Sequence, residues 1–250
     1  MKSPINILGG KSRLRKKIIQ RLPDHTCYVE VFGGAGWVLF GKEPSKVEVY
    51  NDIDGELVNF FRVVKNCHKA FVQALDWILV SRKLFKDFIN TKPEDLDEIQ
   101  RAVRFYYIIK VSFGGKGAHF GYAKTGKSTF NPDILYETIS VVFNRLRRVY
   151  IEEGDFETVI ERYDGLETVF YLDPPYYETC GYKYKIDIED YKRLARILAD
   201  IDGKFLLTIN DHETMREVFK GFEMEEVEVG YSIAKKVESR RKYGELMVRG

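Results

Sequence analysis

The chain has little of what would staple or anchor a protein outside a reducing compartment. Its three cysteines, Cys27, Cys67 and Cys180, are odd in number and far apart, which excludes a disulfide framework and fits a cytoplasmic protein. The four histidines, His25, His68, His119 and His212, are equally scattered, so no spacing suggests a metal site. No apolar run approaches the roughly 20 residues of a membrane helix, and Met1-Lys2-Ser3-Pro4 is not followed by an apolar segment of the secretory kind. Two windows lack acids altogether. Gly9 to Leu22 carries Lys11, Arg13, Arg15, Lys16, Lys17 and Arg21 without an Asp or Glu. Arg101 to Pro132 has six more basic residues among seven aromatics, again with no acid. The acids are displaced into Glu152 to Glu167 and Glu223 to Glu228. In a chain of net charge +2, such segregation points to one basic face, which is what a polyanion needs. Ordinary solvated helix faces give similar blocks, most readily for Gly9 to Leu22.

What is present is ordinary globular material with one unusual corner. At 250 residues, 44% hydrophobic and 31% charged, the chain suits one α/β domain with a smaller inserted lobe. Val169-Phe170-Tyr171-Leu172 reads as a strand buried on both faces, and it must stop at Asp173 because neither Pro174 nor Pro175 can donate to a ladder. Asp173 therefore lies at the carboxyl end of a central strand, the edge of an open α/β sheet at which ligands bind, with Tyr176 and two rigid prolyl carbonyls beside it. A surface turn is the plainer account of the same residues.

In chain order, Gly9-Gly10-Lys11 leads into an amphipathic helix from Arg13 to Leu22. Tyr28 to Phe32 alternates as a strand and runs into Gly33-Gly34-Ala35-Gly36, after which Trp37 to Phe40 is compatible with a helix start. A strand, a glycine turn and a helix form a nucleotide-type site, although the third glycine of the dinucleotide fingerprint is replaced by Leu39. A second strand, Val47 to Tyr50, closes on Asn51-Asp52-Ile53-Asp54, where such folds hydrogen-bond a ribose. Residues 57–148 then read as a helical insert, with helices at Glu56 to Val64, Lys69 to Val80, Leu96 to Lys110 and Ile134 to Arg148. Its glycine-rich loop, Ser112 to Asn131, is too long for a passive connection. The α/β pattern resumes with a strand at Val149 to Ile151 closing toward Asp155-Phe156, and a short helix to Tyr163. After the central strand come a helix from Ile188 to Ala199, a strand from Phe205 to Ile209 and a helix from His212 to Phe219. Met224 to Val229 and Glu245 to Val248 form a hairpin joined by the basic segment Lys235 to Lys242. The expected fold is α/β, with residues 1–56 and 149–250 as the main domain.

Asp173-Pro174-Pro175-Tyr176 matches the DPPY tetrapeptide of amino-methyltransferases, and nearly the whole chain resembles DNA adenine-N6 methyltransferases of the Dam class. Gly9-Gly10-Lys11 looks like their opening element, Glu30-x-Phe32-x-Gly34-Ala35-Gly36 like their cofactor motif, and Asp52 falls on their ribose-contacting acid. The resemblance implies a seven-stranded, mostly parallel, Rossmann-like methyltransferase sheet with a reversed hairpin, and makes the insert a target-recognition lobe. It implies S-adenosyl-L-methionine held by Ile7, Lys11, Glu30, Phe32, Gly34, Gly36, Asp52, Ile53, Asp155, Phe156 and Asp173, with Asp173, Pro174, Pro175 and Tyr176 catalytic. Double-stranded DNA is the implied partner, with Lys110, Lys116, Lys124, Lys127, Arg240 and Arg241 toward its phosphates, no metal, and a restriction endonuclease as a possible companion. Many relatives have an aromatic where Ile7 stands. Ile109 to Gly115 lacks the asparagine-arginine pattern of the GATC-specific enzymes, so that target sequence does not carry over.

The implied chemistry explains the residue types. The adenine amine is a poor nucleophile because its lone pair is delocalised into the ring. Asp173 and the Pro174 carbonyl would take its N–H bonds, Lys11 and Asp52 would place the donor in line, and Tyr176 would stack a base flipped out of the duplex. The loop from Tyr177 to Tyr184 either closes over it or is simple surface cover. An RNA or small-molecule methyltransferase on the same fold, and a non-catalytic nucleic-acid-binding module, are the alternatives.

Overall fold

The structure is a computed structural model and describes residues 1–7, 9–115, 117–121, 130–229 and 243–250. Seven strands form one sheet in the order β3-β2-β1-β4-β5-β7-β6: β1 (Cys27–Glu30), β2 (Val47–Asp52), β3 (Val149–Glu153), β4 (Thr168–Leu172), β5 (Lys204–Asn210), β6 (Glu223–Val229) and β7 (Tyr243–Arg249). The first five are parallel and β7 runs antiparallel between β5 and β6. All five residues of β4 are buried, as a continuous apolar run demands of a strand covered on both faces. From β1 the chain moves outward through β2 to β3, then returns to β4 on the other side of β1. That reversal leaves a crevice at the carboxyl edge between β1 and β4.

Alternation along the strands divides the core in two. Val29, Val49, Phe170, Leu207 and Val248 face one helical layer, formed by α7 (Phe156–Tyr163), α8 (Ile188–Asp200) and α9 (Glu213–Val218). Tyr28, Tyr50, Tyr171, Leu206 and Met247 face the other, where their core is continuous with that of the inserted helices. Those helices are α2 (Gly55–Asn66), α3 (His68–Asp76), α4 (Arg82–Asn90), α5 (Glu98–Val111) and α6 (Pro132–Leu146). Starts are set by acid caps. Asp54 caps α2, Asp155 caps α7, and Asp97 with Gln100 and Asp187 with Asp190 close capping boxes on α5 and α8.

Three local expectations are corrected. The helix expected at Lys69 to Val80 ends at Asp76, and Ser81 caps a separate helix, α4. Trp77 and Leu79 are apolar but exposed, so hydrophobicity carried the expected helix into a linker. The opening helix is only α1 (Arg15–Ile19). Finally, Trp37 to Phe40 forms turns rather than a helix. The Ala35 carbonyl that a helix would offer to Leu39 accepts the Ser3 hydroxyl at 2.5 Å, and the Leu39 N–H goes to Glu30 Oε2 at 2.7 Å.

Candidate active site

On the face shared with the inserted helices, the carboxyl ends of adjacent strands carry polar groups. Glu30 ends β1, Asp52 ends β2, Asp173 follows β4, and Thr208 and Asn210 lie at the end of β5. Because β7 is antiparallel, its beginning reaches the same edge, with Glu245 opposite Asn210.

The glycine turn is held from beneath. The Gly33 N–H donates to the Asn51 carbonyl at 2.7 Å, and a side chain at Gly33 would run into the Tyr50 ring, as close as 2.2 Å. Gly36 has a φ of +67°, where a Cβ is strained. Asp52 accepts the Gly34 N–H at 2.7 Å on one oxygen and the Asp54 N–H at 2.8 Å on the other. Burial raises its pKa while those bonds oppose the rise. The Gly34 N–H is thus committed to Asp52, and the turn is not the free helix terminus that the nucleotide-type pattern suggested. Glu30 uses one oxygen, Oε2, for both the Tyr28 hydroxyl at 2.8 Å and Leu39 N–H. Burial pushes its carboxyl up to about 8.

The acid-prolyl corner is gripped from several strands. Asp173 Oδ1 receives Lys11 Nζ at 2.7 Å and the Thr208 hydroxyl at 3.0 Å. Both donors use the same oxygen, so Oδ2 is left to the cavity that Asp173 lines. Burial raises the Asp173 pKa, and Lys11 acts against that. The Lys11 ammonium also donates to the Tyr176 hydroxyl and lies 4.2 Å from the centre of that ring. Glu245 Oε2 is 3.8 Å from Lys11. Asn210 clamps the backbone of Tyr177, accepting its N–H at 3.0 Å and donating to its carbonyl at 3.2 Å. The Tyr191 hydroxyl donates to the Pro175 carbonyl. With Pro174 buried, Lys11, two side chains on β5 and one on α8 fix the corner.

A cavity of about 650 Å³ opens over this edge. Ile7, Lys11, Glu30, Phe32, Gly34, Gly36, Asp52, Ile53, Asp155, Phe156, Asp173 and Pro175 all line it. Tyr176 stands behind Lys11 and is not in the lining. Asp155 is already engaged. It caps α7 and pairs with Arg193 at 3.0 Å, and the Arg193 guanidinium lies 4.2 Å from the centre of the Phe156 ring. Phe156 packs on Phe32 with ring centres 5.7 Å apart. The loop after Tyr177 crosses the mouth. A side chain at Gly9 would come within 2.8 Å of the Tyr182 hydroxyl, and Lys183 Nζ is 2.7 Å from Asp54 Oδ1. Ile89, Phe105 and Ile108 close the far side from the inserted helices.

The basic windows are less exposed than their sequence suggests. Arg101 and Arg104 pair with Glu56, Arg21 pairs with Glu225, and Lys11 with Asp173. Acids absent nearby in sequence are supplied across the fold. Lys110 is half-buried over the Tyr106 ring at 5.3 Å, and desolvation lowers its pKa. Lys116, Lys124, Lys127, Arg240 and Arg241 lie outside the described residues. Among the described residues no group of side chains could hold a metal ion, and no helix is long and apolar enough to cross a membrane.

Thr208, Asn210, Tyr191, Lys183 and Glu245 were not singled out from the sequence. Thr208 was the one signal available, a polar residue inside an otherwise apolar strand. Glu245 preceding Leu246-Met247-Val248 reads simply as a strand end.

A family model described as D12 class N6 adenine-specific DNA methyltransferase matches residues 8–233. Among relatives, a Type II methyltransferase, M1.LlaDCHI of Lactococcus lactis subsp. cremoris, is 28% identical, with 96% of this chain and 92% of that protein aligned. The Type II methyltransferase M.MjaIII of Methanocaldococcus jannaschii is 27% identical over 88% of each. The DNA adenine methylase of Escherichia coli K12 is 25% identical over 96% of this chain and 91% of that protein. The match spans both halves of the sheet, the glycine turn and the Asp173 corner, and the chain belongs to the D12 class of N6 adenine-specific DNA methyltransferases, enzymes that methylate adenine in DNA.

Proposed function

We propose that the methyl donor is S-adenosyl-L-methionine, that the acceptor is the N6 amine of an adenine flipped out of double-stranded DNA, and that Asp173 is the group that draws on that amine. The carrying observation is the one-sided engagement of Asp173, whose Oδ1 takes Lys11 and Thr208 while Oδ2 takes no hydrogen bond from the described residues on a side chain that lines the cavity. A carboxylate in that state accepts an amine N–H without first breaking a bond to the protein, and the Pro174 carbonyl is the second acceptor. Once the base is flipped out, such positioning supplies most of what this reaction needs, since the acceptor is a weak nucleophile.

The cavity residues suit this donor, which supplies an electrophilic methyl group on a cationic sulfonium. Asp52 and Asp173 place acidic groups along one wall, and Phe32, Ile53 and Phe156 give an apolar wall for an adenine ring. Its volume lies in the range of small-molecule sites. Asp52 retains lone pairs for a ribose beyond its two backbone bonds. Tyr182 and Lys183 bring the loop over the cavity. Residues 57–148 act as the target-recognition lobe, with Lys110, Lys116, Lys124, Lys127, Arg240 and Arg241 serving DNA phosphates. Lysines on a glycine-rich loop suit phosphates better than base edges, so the site read is short or degenerate. Relatives named Type II methyltransferases make a restriction endonuclease the companion to seek, in the cytoplasm.

The test is transfer of a labelled methyl group from S-adenosyl-L-methionine to duplex DNA, single-stranded DNA and RNA, followed by sequencing of modified positions. Duplex-dependent modification at adenines in a short context supports the reading. Equal or better modification of RNA overturns it, and one fixed motif of four or more bases overturns the degenerate site.

A further inference from the structure

Glu245 sits where nothing in the strand pattern requires an acid. It is 3% exposed in the middle of the sheet edge, flanked by uncharged partners, Asn210 on β5 and Val227 on β6. Its Oε2 has no hydrogen-bond partner among the described residues, and a buried acid in that condition calls for an explanation. Among the described residues the cation paired with it is Lys11, itself only 6% exposed, whose Nζ is 3.8 Å from that oxygen and 2.7 Å from Asp173 Oδ1. Lys11 thus stands between two carboxylates and is closed onto one of them.

We propose that Glu245 is a positioning residue that draws the Lys11 ammonium away from Asp173 when the substrates bind. The need follows from charge. An ammonium resting on Asp173 weakens the carboxylate as an acceptor for the adenine amine, and it repels a sulfonium entering the same cavity. Both groups are buried, so water screens neither effect well. The move is short, since closing the gap to a charge-assisted bond shifts Nζ by about 1 Å. Tyr176, whose hydroxyl receives Lys11 and faces Glu245, guides the ammonium between its two positions. Two strand partners of opposite direction make the arrangement possible, because only an antiparallel β7 brings its first residues to the edge where β4 ends.

The inference rests on Asp173 as the amine acceptor, and the test separates the two. Single-turnover methylation is measured with saturating S-adenosyl-L-methionine and duplex DNA, alongside equilibrium binding of each. Glu245→Gln keeps the shape and removes the charge. It should lower the rate about ten-fold, within the range of couplings between residues in contact, with DNA affinity within about two-fold of wild type and S-adenosyl-L-methionine bound more weakly. On a Lys11→Met background the same substitution should leave the residual rate unchanged, because no ammonium remains to be moved. A wild-type rate in Glu245→Gln, or the same proportional loss with and without Lys11, overturns the proposal. If Glu245→Gln does not melt as a folded protein, the cycle is run with Glu245→Asp, which shortens the reach to Lys11 by one methylene. Asp173→Asn is the control: substantial activity there would mean that the reading of Asp173 itself has failed, whatever Glu245 does.

Discussion

Replacing Glu30 by glutamine should make the protein more stable at alkaline pH. Glu30 is 2% exposed beneath the glycine turn, and burial raises its carboxyl from an ordinary 4.5 to about 8. The folded state therefore binds a proton between those pH values and the unfolded state does not. With unfolding free energy changing as the difference in bound protons, stability must fall as pH rises through this window and level off above it. At about 1.4 kcal/mol for each pH unit the full drop is on the order of 5 kcal/mol. Both donors that hold Glu30, the Tyr28 hydroxyl and the Leu39 N–H, converge on the single oxygen Oε2. An amide carbonyl at that position can accept both, so Glu30→Gln keeps the turn in place and cannot ionise. Urea unfolding of both proteins at intervals from pH 5 to 9 reads the difference directly. The wild-type curve should slope downward and the variant's should be flatter, crossing it before pH 8. Parallel curves across the whole range would show that Glu30 is ionised in the folded protein and refute the reasoning.

The other expected outcomes concern the site. Asp173→Ala should abolish methyl transfer while duplex DNA binding persists, since phosphate contacts provide most of that affinity; a comparable methylation rate would remove Asp173 from the chemistry. Asp52→Ala should weaken S-adenosyl-L-methionine binding by roughly 1 to 3 kcal/mol, and it also frees the Gly34 and Asp54 N–H groups, so calorimetry should show the loss together with a lower melting temperature. Asn210→Ala removes both bonds to the Tyr177 backbone and should lower the transfer rate at saturating substrates more than it changes cofactor affinity. Lys183→Ala breaks an ion pair that is 59% exposed on the lysine side, so stability should change by less than about 1 kcal/mol. Stopped-flow measurement of faster cofactor release would be its main signature.

The sequence by itself determined the elements whose signals are local. An apolar run ended by two prolines reads as a buried strand stopping at Asp173, and alternation from Tyr28 into three glycines and an alanine marks a strand entering a close turn. Those constraints act within a few residues, so they survive without the fold. The motif spacing likewise assembled the cavity wall, because Lys11, Glu30, Asp52 and Asp173 each sit at a strand or segment end and a parallel sheet brings such ends together. The tertiary structure decided everything that depends on which strands are neighbours. Thr208 and Asn210 grip the corner, and Glu245 approaches it, only because β5 adjoins β4 and an antiparallel β7 adjoins β5, pairings of residues 35 or more positions apart. It also decided the fate of charge. Windows without acids looked like a basic face, yet Glu56, Asp173 and Glu225 meet their cations from distant parts of the chain, since electrostatic pairing follows distance in space and not order in sequence.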